Sequence, residues 1–428
     1  MLDGGDGLPA DGCWNGREYF FEMNHSYDIA VLGGGIVGLS FAMQAASAFP
    51  GARLIVVEKE EGVASHQTGH NSGVIHSGVY YKPRSLKARL CVAGAREMIA
   101  FCSTHNIPHE ICGKLIVATG EAEAAQLELL RANGEANGLT GLRILERQAM
   151  REIEPHVGGV RALHVPTTGI TNYKQVAEKY AELAKNAGVE IRTGARVTGF
   201  KHSGSEVAVQ THAGDFTARL VVNCAGLYSD KIAKLAGHDP GVMIIPFRGE
   251  YFDLAPARQA LVRALIYPVP DPDYPFLGVH FTKRIQGTVD AGPNAVLAFR
   301  REGYRRTNFH FGETMQLFRY PGFRAMASKH WKNGLGELRR SWSKSEFVRS
   351  CQRLLPEVRM EDLSPGAAGV RAQAVGEDGS LVDDFRFVSK DRFLHVLNVP
   401  SPAATASLPI GREIIATLRD QFPDLARR

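Results

Sequence analysis

The sequence lacks the features of a zinc protein, a disulfide-bonded protein and a repeat protein. Its six cysteines are scattered over 428 residues, none forms a CxxC pair, and no Cys/His cluster has the spacing of a zinc site. In a chain of this length, scattered cysteines are typical of reduced thiols in an intracellular compartment. We therefore predict a cytoplasmic protein without a metal site. The sequence also contains no internal repeat and no low-complexity tract.

Long apolar runs are also scarce. Residues 29–49 form one uncharged stretch of 21 residues, long enough to span a bilayer. Gly33, Gly34 and Gly35 near its start would each destabilise a helix by about 1 kcal/mol relative to alanine, so a strand, a turn and a buried helix are the better interpretation. Residues 1–22 carry several acidic side chains and no apolar core of a secretory signal. We expect residues 1–25 to be a disordered leader, or Met23 to be the initiator.

Length and composition favour an ordinary globular protein with two domains. A chain of 428 residues exceeds what one hydrophobic core normally holds. Hydrophobic residues make up 44% and charged residues 22% of the sequence. This balance excludes intrinsic disorder, collagen and disulfide-stabilised mini-proteins.

Positive charge is concentrated in one part of the chain. Residues 300–349, here called the basic segment, hold 12 Lys/Arg and 4 Asp/Glu, whereas the net charge of the whole chain is +5. Large apolar side chains lie among these cations: Phe309, Phe311, Leu317, Phe318, Phe323, Trp331 and Trp342. Cations beside aromatics are typical of segments that lie on an anionic membrane, although packing of the aromatics into the protein explains the pattern equally well. No nucleic-acid recognition motif accompanies the charge, so we predict no nucleic-acid partner.

A dinucleotide-binding pattern begins at residue 27. A buried strand is predicted at residues 27–32, followed by the GxGxxG glycines and a helix at 39–48, and a second strand at 54–57 ends at an acid. The glycines permit a tight turn, close approach of a pyrophosphate and close helix–strand packing, and the helix N-terminus favours phosphate charge. The acid is placed to bind a ribose diol, which favours FAD or NAD over NADP. The candidate cofactor-binding residues are Gly33, Gly35, Ile36, Val37, Gly38, Glu58 and Lys59.

A polar loop punctuated by glycines follows at residues 65–78, here called the flavin loop. Its backbone and hydroxyl donors can reach a pyrophosphate and a flavin ring, and the candidates are His70, Asn71, Ser72 and Gly73. Three histidines within 11 residues also suggest a metal site, but no carboxylate or cysteine completes a ligand set.

These motifs carry a resemblance to a known enzyme family. The fingerprint, the sequence HNSGVIHSGVYYKPRSLKARLC and the C-terminal SPAATASLPIG resemble the L-2-hydroxyglutarate dehydrogenase/oxidase family, within the FAD-dependent D-amino-acid oxidase/glycerol-3-phosphate dehydrogenase superfamily. The resemblance spans residues 26–411. It implies oxidation of L-2-hydroxyglutarate to 2-oxoglutarate by hydride transfer to FAD, with electrons passed to quinone or oxygen. We expect non-covalent FAD, although a loop histidine bonds to the flavin in some relatives. Two alternatives stay open: an amino-acid or sarcosine-type amine oxidase, and a flavoprotein with structural FAD.

The resemblance also implies an α/β fold in two parts. A discontinuous Rossmann-like FAD-binding domain would comprise residues 26–108, 160–240 and 356–428, and a mixed α+β substrate domain on an antiparallel sheet would comprise 109–159 and 241–355. Further cofactor contacts would come from the main chain of Val197, from Ala225 and Gly226 at a strand end, and from Gly369 and Val370. Pro402, Ala403, Ala404 and Thr405 would begin a helix that points at the flavin, since proline suits a first helical turn.

Substrate-binding residues follow from the same resemblance. Arg371 stands in the Gly-x-Arg context of the superfamily's carboxylate-binding arginine, and a guanidinium can bind a carboxylate in a bidentate manner; a structural ion pair is the alternative. The candidate bases are His280, in a predicted apolar strand, and His76, in the flavin loop, although a buried structural histidine also explains His280. A dicarboxylate needs a second anchor, and spacing does not choose among Tyr267, Thr282, Lys283 and Arg248. A peripheral enzyme that passes electrons to membrane quinone would use the basic segment as its contact with the membrane.

Overall fold

Two large β-sheets organise the chain. The computed structural model describes residues 26–271 and 278–425, so the predicted leader lies outside the described residues. The strands are β1 (Ser26–Leu32), β2 (Leu54–Val57), β3 (Val74–Ile75), β4 (His109–Glu110), β5 (Lys114–Ala118), β6 (Arg143–Glu146), β7 (Arg161–Val165), β8 (Gly169–Thr171), β9 (Glu190–Arg192), β10 (Val197–Ser203), β11 (Glu206–Thr211), β12 (Phe216–Asn223), β13 (Met243–Leu254), β14 (Leu265–Pro268), β15 (His280–Lys283), β16 (Val289–Gly292), β17 (Val296–Leu297), β18 (Leu363–Val375), β19 (Arg386–Lys390) and β20 (Phe393–Asn398). The α-helices are α1 (Ile36–Ala48), α2 (Leu86–Thr104), α3 (Glu121–Ala136), α4 (Arg147–Ile153), α5 (Tyr173–Asn186), α6 (Ser229–Leu235), α7 (Phe311–Arg319), α8 (Pro321–Trp342), α9 (Lys344–Gln352) and α10 (Ser407–Gln421).

The first sheet has a parallel core flanked by antiparallel strands. Its order is β10-β11-β12-β1-β2-β9, with β20 beside β12 and β19 beside β20. β1 pairs in parallel with both β12 and β2. Both β1 and β2 are buried, and α1, α5 and α10 pack together over one of their faces. The carboxyl ends of parallel strands meet at one edge, which is where ligands bind in such sheets.

The turn after β1 explains two of the fingerprint glycines. Gly33 has φ +114°, and a Cβ there would lie 2.5 Å from the carbonyl oxygen of Cys224 at the end of β12. A Cβ on Gly38 would lie 2.2 Å from the carbonyl oxygen of Gly33. Glycine at both positions therefore lets α1 pack directly against the ends of β1 and β12.

The second sheet is almost entirely antiparallel. Its order is β17-β13-β16-β15-β14-β5-β7-β6, with β18 along the other side of β13, and β14–β5 is its parallel pair. One face packs on α4 and α9. The other face meets the flavin loop, because Leu265 and Tyr267 of β14 form a buried cluster with Val74 of β3 and Ile170 of β8.

The basic segment contains both buried and exposed aromatic side chains. Leu317 and Phe323 pack with Ile245 and Val375 beneath the helices, so part of the apolar pattern does belong to the core. Five aromatic side chains of the segment are 46–79% exposed: Phe309, Phe311, Phe318, Trp331 and Trp342. Within residues 26–271 and 278–425, no helix has the length and apolarity needed to cross a bilayer.

The α/β fold with a mostly antiparallel second sheet is confirmed, with two local differences. β7 and β18 pair within the second sheet, although the predicted boundaries assigned their residues to the FAD-binding domain. The chain therefore returns to the first sheet later than the predicted boundaries at residues 160 and 356 indicate. The prediction that Pro402 lies in a first helical turn is wrong, because residues 401–406 form turns with a cis Ser401–Pro402 bond and α10 begins at Ser407.

Candidate active site

A cavity of about 880 Å³ lies between the two sheets. It begins at the carboxyl ends of β1, β2 and β12 and extends along the flavin loop to β14, β15 and β18. Many predicted site residues line it: Gly33, Gly35, Ile36, Val37, Glu58, Lys59, His70, Asn71, Ser72, His76, Val197, Ala225, Gly226, Tyr267, His280, Gly369, Val370, Arg371, Pro402, Ala403, Ala404 and Thr405. A cavity of this volume and elongated shape can hold a dinucleotide and leaves space for a small substrate.

The nucleotide end is built around the start of α1. The N-cap of α1 is Gly35, which has no side-chain cap, so first-turn N–H groups other than that of Ile36 are available to phosphate oxygens. Ile36 N donates to Thr68 Oγ1 (3.0 Å), which ties the flavin loop to this helix end. Glu58 accepts from Gly34 N (2.8 Å) and Glu60 N (3.0 Å), which holds its carboxylate beside the turn. These residues fit the ribose and pyrophosphate of FAD.

Thr405 joins the C-terminal loop to the flavin loop. Its hydroxyl accepts from His76 N (3.1 Å), donates to Val74 O (3.3 Å) and lies 2.8 Å from the Tyr173 hydroxyl. Burial of this group, where Thr405 is 1% exposed, makes the three contacts stronger than they would be in water. The loop at residues 401–406 is therefore rigidly held against the cavity although it is not helical.

Five predicted site residues do not line the cavity. Gly38 and Gly73 act in the packing of the backbone, since a Cβ on Gly73 would lie 2.7 Å from Thr171 O. Thr282 is buried behind the wall, with its hydroxyl 3.5 Å from that of Tyr267. The other two, Arg248 and Lys283, are cations that pair with acids elsewhere.

Arg248 and Lys283 were predicted as candidates for a second substrate anchor, but neither lines the cavity. Side chains alternate along a strand, so Gly249 of β13 faces the cavity and Arg248 faces away, where it bonds to buried Glu250 (2.8 Å). Lys283 Nζ lies 2.7 Å from Glu110 Oε1 on β4. A cation already paired with a carboxylate has little charge left to offer a substrate.

His280 is held in a defined orientation at the second sheet. Its Nδ1–H donates to Gly278 O (2.9 Å), and its ring lies 3.9 Å, centroid to centroid, from that of Tyr267. Nδ1 therefore carries the proton and Nε2 carries a lone pair. Burial lowers the pKa of His280 to about 3, although the bond to Gly278 opposes this shift, and nearby Arg371 and Lys114 lower it further. A neutral imidazole is suited to accept a proton.

Positive charge dominates the surroundings of His76 as well. Burial lowers its pKa to about 3, and the charged neighbours that contribute most are Lys114, His280, Arg371 and Lys87. Arg371 projects from β18 into the cavity. Several cationic groups thus surround one region of the cavity, an arrangement that favours an anionic ligand.

Several wall residues were missed at the sequence level. Tyr80, Tyr81 and Lys87 line the cavity, and all three belong to the HNSGVIHSGVYYKPRSLKARLC motif, so the whole motif was the available signal. Lys114 was not among the predicted site residues. Its role depends on the tertiary structure, because a lysine at a strand start normally reaches solvent.

One of the loop histidines, His66, does have acidic neighbours in three dimensions, although the sequence shows no carboxylate in the loop to complete a ligand set. One ligand atom each from Glu60, His66 and Glu302 lie within 4.8 Å of one another. However, Lys59 Nζ contacts Glu60 and lies 2.5 Å from Glu302 and 2.8 Å from His66 Nε2. The ammonium group takes the place that a metal cation would need, so ion pairing accounts for the cluster.

Comparison with known proteins is consistent with FAD binding in this cavity. The family model described as FAD dependent oxidoreductase matches residues 28–417. The chain belongs to the family of FAD-dependent oxidoreductases. Two similar relatives of this FAD-dependent oxidoreductase are L-2-hydroxyglutarate dehydrogenases, one from Indibacter alkaliphilus (48% identical, covering 90% of this chain and 97% of the relative) and one from Escherichia coli strain UMN026 (46%, covering 92% and 93%).

The fold of the family is seen in solved structures. The L-α-glycerophosphate oxidase from Mycoplasma pneumoniae with FAD bound is similar with a TM-score of 0.75, at 22% identity, over 92% of this chain and 95% of that one. This similarity supports the two-sheet architecture of FAD-dependent oxidoreductases.

Proposed function

We propose that this FAD-dependent oxidoreductase oxidises L-2-hydroxyglutarate to 2-oxoglutarate. The observation that carries the proposal is the combination of a dinucleotide-sized cavity with a region surrounded by Arg371, His76 and His280. A 2-hydroxy acid needs a cation for its carboxylate and a base for its hydroxyl proton. Identities of 46–48% to L-2-hydroxyglutarate dehydrogenases over most of the chain support the same substrate.

Two roles are proposed for these three side chains. Arg371 binds the carboxylate next to the reacting carbon, because a planar guanidinium can donate two parallel hydrogen bonds. His280 accepts the hydroxyl proton on Nε2 as the C2–H bond breaks and the C=O bond forms. His76 is the second candidate for this role, since its pKa is lowered in the same way.

FAD, when bound, supplies the acceptor for the hydride that leaves C2. The residues that would hold it are the α1 N-terminus, Glu58 and the 401–406 loop, all of which line the cavity. We propose that the cofactor is non-covalent. Acid precipitation of the purified holoprotein should then release all of the flavin into the supernatant, whereas flavin that stays with the pellet would indicate a covalent bond.

The flavin absorbance of the purified protein tests the reaction. Anaerobic mixing with L-2-hydroxyglutarate should bleach the visible band promptly, while D-2-hydroxyglutarate, glycine and sarcosine should leave it unchanged. Bleaching by glycine or sarcosine alone would favour the amine-oxidase alternative. A band that persists with every compound would favour structural FAD and contradict the proposal.

We further propose that the basic segment contacts an anionic membrane and that electrons leave there to quinone. Five of its aromatic side chains are 46–79% exposed. Four of them, and the exposed cations Arg319, Arg324 and Lys329, lie on α7 and α8. Aromatic rings and cations together suit the headgroup region of a bilayer. The alternative acceptor is oxygen, which would need no membrane contact.

A further inference from the structure

Lys114 is a buried lysine beside the proposed substrate position. It is the first residue of β5 and only 2% exposed. Its Nζ lies 4.6 Å from the ring centroid of Tyr80 and 4.8 Å from that of Tyr267. Both rings line the cavity, and the ammonium group lies directly behind this part of the wall, against the two aromatic faces.

No carboxylate balances this charge among residues 26–271 and 278–425. Lys59, Lys231 and Lys283 each form a salt bridge to a glutamate, whereas none is formed by Lys114. The ionisable groups that favour its charged form are the thiols of Cys91 and Cys112, and burial raises the pKa of these thiols to about 12 and 11. They are therefore neutral near pH 7 and provide no counter-charge.

An unbalanced buried cation is costly, and a protein retains one chiefly where a ligand supplies the opposite charge. Burial lowers the pKa of Lys114 to about 7, because the charged form is destabilised away from water. A second polar group belongs to the adjacent Tyr80, whose buried hydroxyl has no hydrogen-bond partner among the described residues. One carboxylate bound here would satisfy both groups.

Lys114 and Arg371 both lie near the two imidazoles. Both His76 and His280 lie close enough to Lys114 and to Arg371 that each cation lowers their pKa. A substrate whose reacting carbon lies beside the imidazoles would therefore have one cation for each of two carboxylates. Lys283 and Arg248, the lysine and arginine that the sequence offered for this purpose, are paired elsewhere.

We propose that Lys114 and the Tyr80 hydroxyl form the subsite for the substrate's second carboxylate, so that Lys114 selects 2-hydroxy dicarboxylates over 2-hydroxy monocarboxylates. This inference rests on the proposed oxidation of a 2-hydroxy acid. Lys114 supplies the charge and Tyr80 supplies the hydrogen-bond donor, while Arg371 binds the carboxylate beside the reacting carbon.

The test compares a dicarboxylate with its monocarboxylate analogue on holoprotein variants. Lys114→Met should lower kcat/KM for L-2-hydroxyglutarate by about 30-fold or more and change kcat/KM for L-2-hydroxypentanoate by less than about threefold, because only the former loses a buried charge pair. Tyr80→Phe should shift the ratio in the same direction by a smaller factor. In Lys283→Met, which removes a lysine outside the cavity wall, the ratio should remain that of the unmodified protein.

Binding of non-reacting acids separates this inference from the proposed function. The dissociation constants of glutarate and pentanoate, read from the flavin spectrum, should differ in the unmodified protein and converge in Lys114→Met. If the unmodified flavin is not reduced by L-2-hydroxyglutarate but glutarate still binds more tightly through Lys114, the reaction is wrong and the subsite stands. If the flavin is reduced but Lys114→Met lowers activity on both substrates equally, the subsite is overturned.

Discussion

At the scale of single residues, the chemistry of the site depends on which charges have partners. Arg248 and Lys283 are each neutralised by a glutamate, whereas Lys114 has two aromatic faces and no carboxylate. The imidazoles of His76 and His280 are neutral because burial and the charges of Lys114 and Arg371 lower their pKa. The site thus combines positive charge with neutral bases, as oxidation of an anionic alcohol requires.

The pH dependence of kcat/KM should reflect the loss of the positive charge on Lys114. Its pKa in the free protein is lowered to about 7, so its charge is present below that pH and is lost as the pH rises through it. Since kcat/KM reflects the free enzyme, kcat/KM for L-2-hydroxyglutarate should decrease above about pH 7. The ionisable groups near Lys114 are the neutral imidazoles of His76 and His280, the guanidinium of Arg371 and the neutral thiols of Cys91 and Cys112, and none of them is an anion near this pH.

Two comparisons check this assignment. L-2-hydroxypentanoate should lack the decrease, and Lys114→Met should abolish it for L-2-hydroxyglutarate. A Lys114→Met profile with the same decrease would assign the titration to another group. His280, with its pKa lowered to about 3, should contribute no acidic limb between pH 5 and pH 9.

Arg371 should affect both substrates. Its replacement by methionine should lower kcat/KM for L-2-hydroxyglutarate and for L-2-hydroxypentanoate by about 10²-fold or more, because both acids carry the carboxylate that it binds. Stopped-flow flavin reduction over a range of substrate concentrations would measure this. Equal activity of Arg371→Met and the unmodified protein at low substrate concentration would remove the residue from the site.

His280 should act on the chemical step. His280→Gln keeps a polar side chain but removes the base, so the limiting rate of flavin reduction should fall by about 10²- to 10⁴-fold, with little change in the dissociation constant of glutarate. The matched variant His76→Gln decides between the two imidazoles. A larger loss in His76→Gln than in His280→Gln would exchange their roles.

At the scale of secondary-structure elements, the start of α1 sets the cofactor site. Gly33 and Gly38 allow the helix to meet the ends of β1 and β12 without a clash, and the uncapped first turn leaves N–H groups for phosphate. The flavin loop and the 401–406 loop then close around this end through Thr68 and Thr405.

A methyl group at Gly38 should disrupt this arrangement. In Gly38→Ala the new Cβ would lie 2.2 Å from a backbone oxygen, and overpacking of this kind typically costs about 1–3 kcal/mol. We expect a lower melting temperature and loss of most bound FAD in the purified protein. Gly120→Ala is the control, since this glycine has φ −158° and nothing within 4 Å of an added Cβ. Full FAD content in Gly38→Ala would contradict the packing argument.

At the scale of the whole molecule, the two sheets contribute different parts of the site. The first sheet presents the nucleotide-binding edge, and the second presents Tyr267, His280 and Arg371 to the same cavity. The basic segment packs on the second sheet through Leu317 and Phe323 while other aromatics remain exposed. Its exposed face is therefore available to a partner surface without any change in the core.

Vesicle binding tests that surface. The double variant Phe311→Ser/Trp342→Ser removes the two most exposed aromatics of the segment, 69% and 79% exposed. Its affinity for anionic phospholipid vesicles should fall about tenfold or more, since burying one large apolar side chain is worth about 1.5–3 kcal/mol. Leu129→Ser on α3, where Leu129 is 64% exposed, is the control. Absence of binding by the unmodified protein at low salt would reject the membrane contact.

The sequence by itself determined the secondary structure around the cofactor site and the family. The strand–glycine–helix unit and the acid after β2 were predictable because each depends on local periodicity and on glycine geometry that neighbouring residues define. The flavin loop and the Gly-x-Arg of β18 were recognisable as motifs, and both line the cavity.

Only the tertiary structure decided which cations face the substrate. Arg248, Lys283 and Lys114 are all basic residues of the second sheet, and the sequence favoured the first two. Their directions follow from the pairing of strands far apart in the chain, such as β5 with β14, and from which acids those strands bring near them. A side chain's face and its counter-charge are properties of long-range packing, so no local pattern could have singled out Lys114.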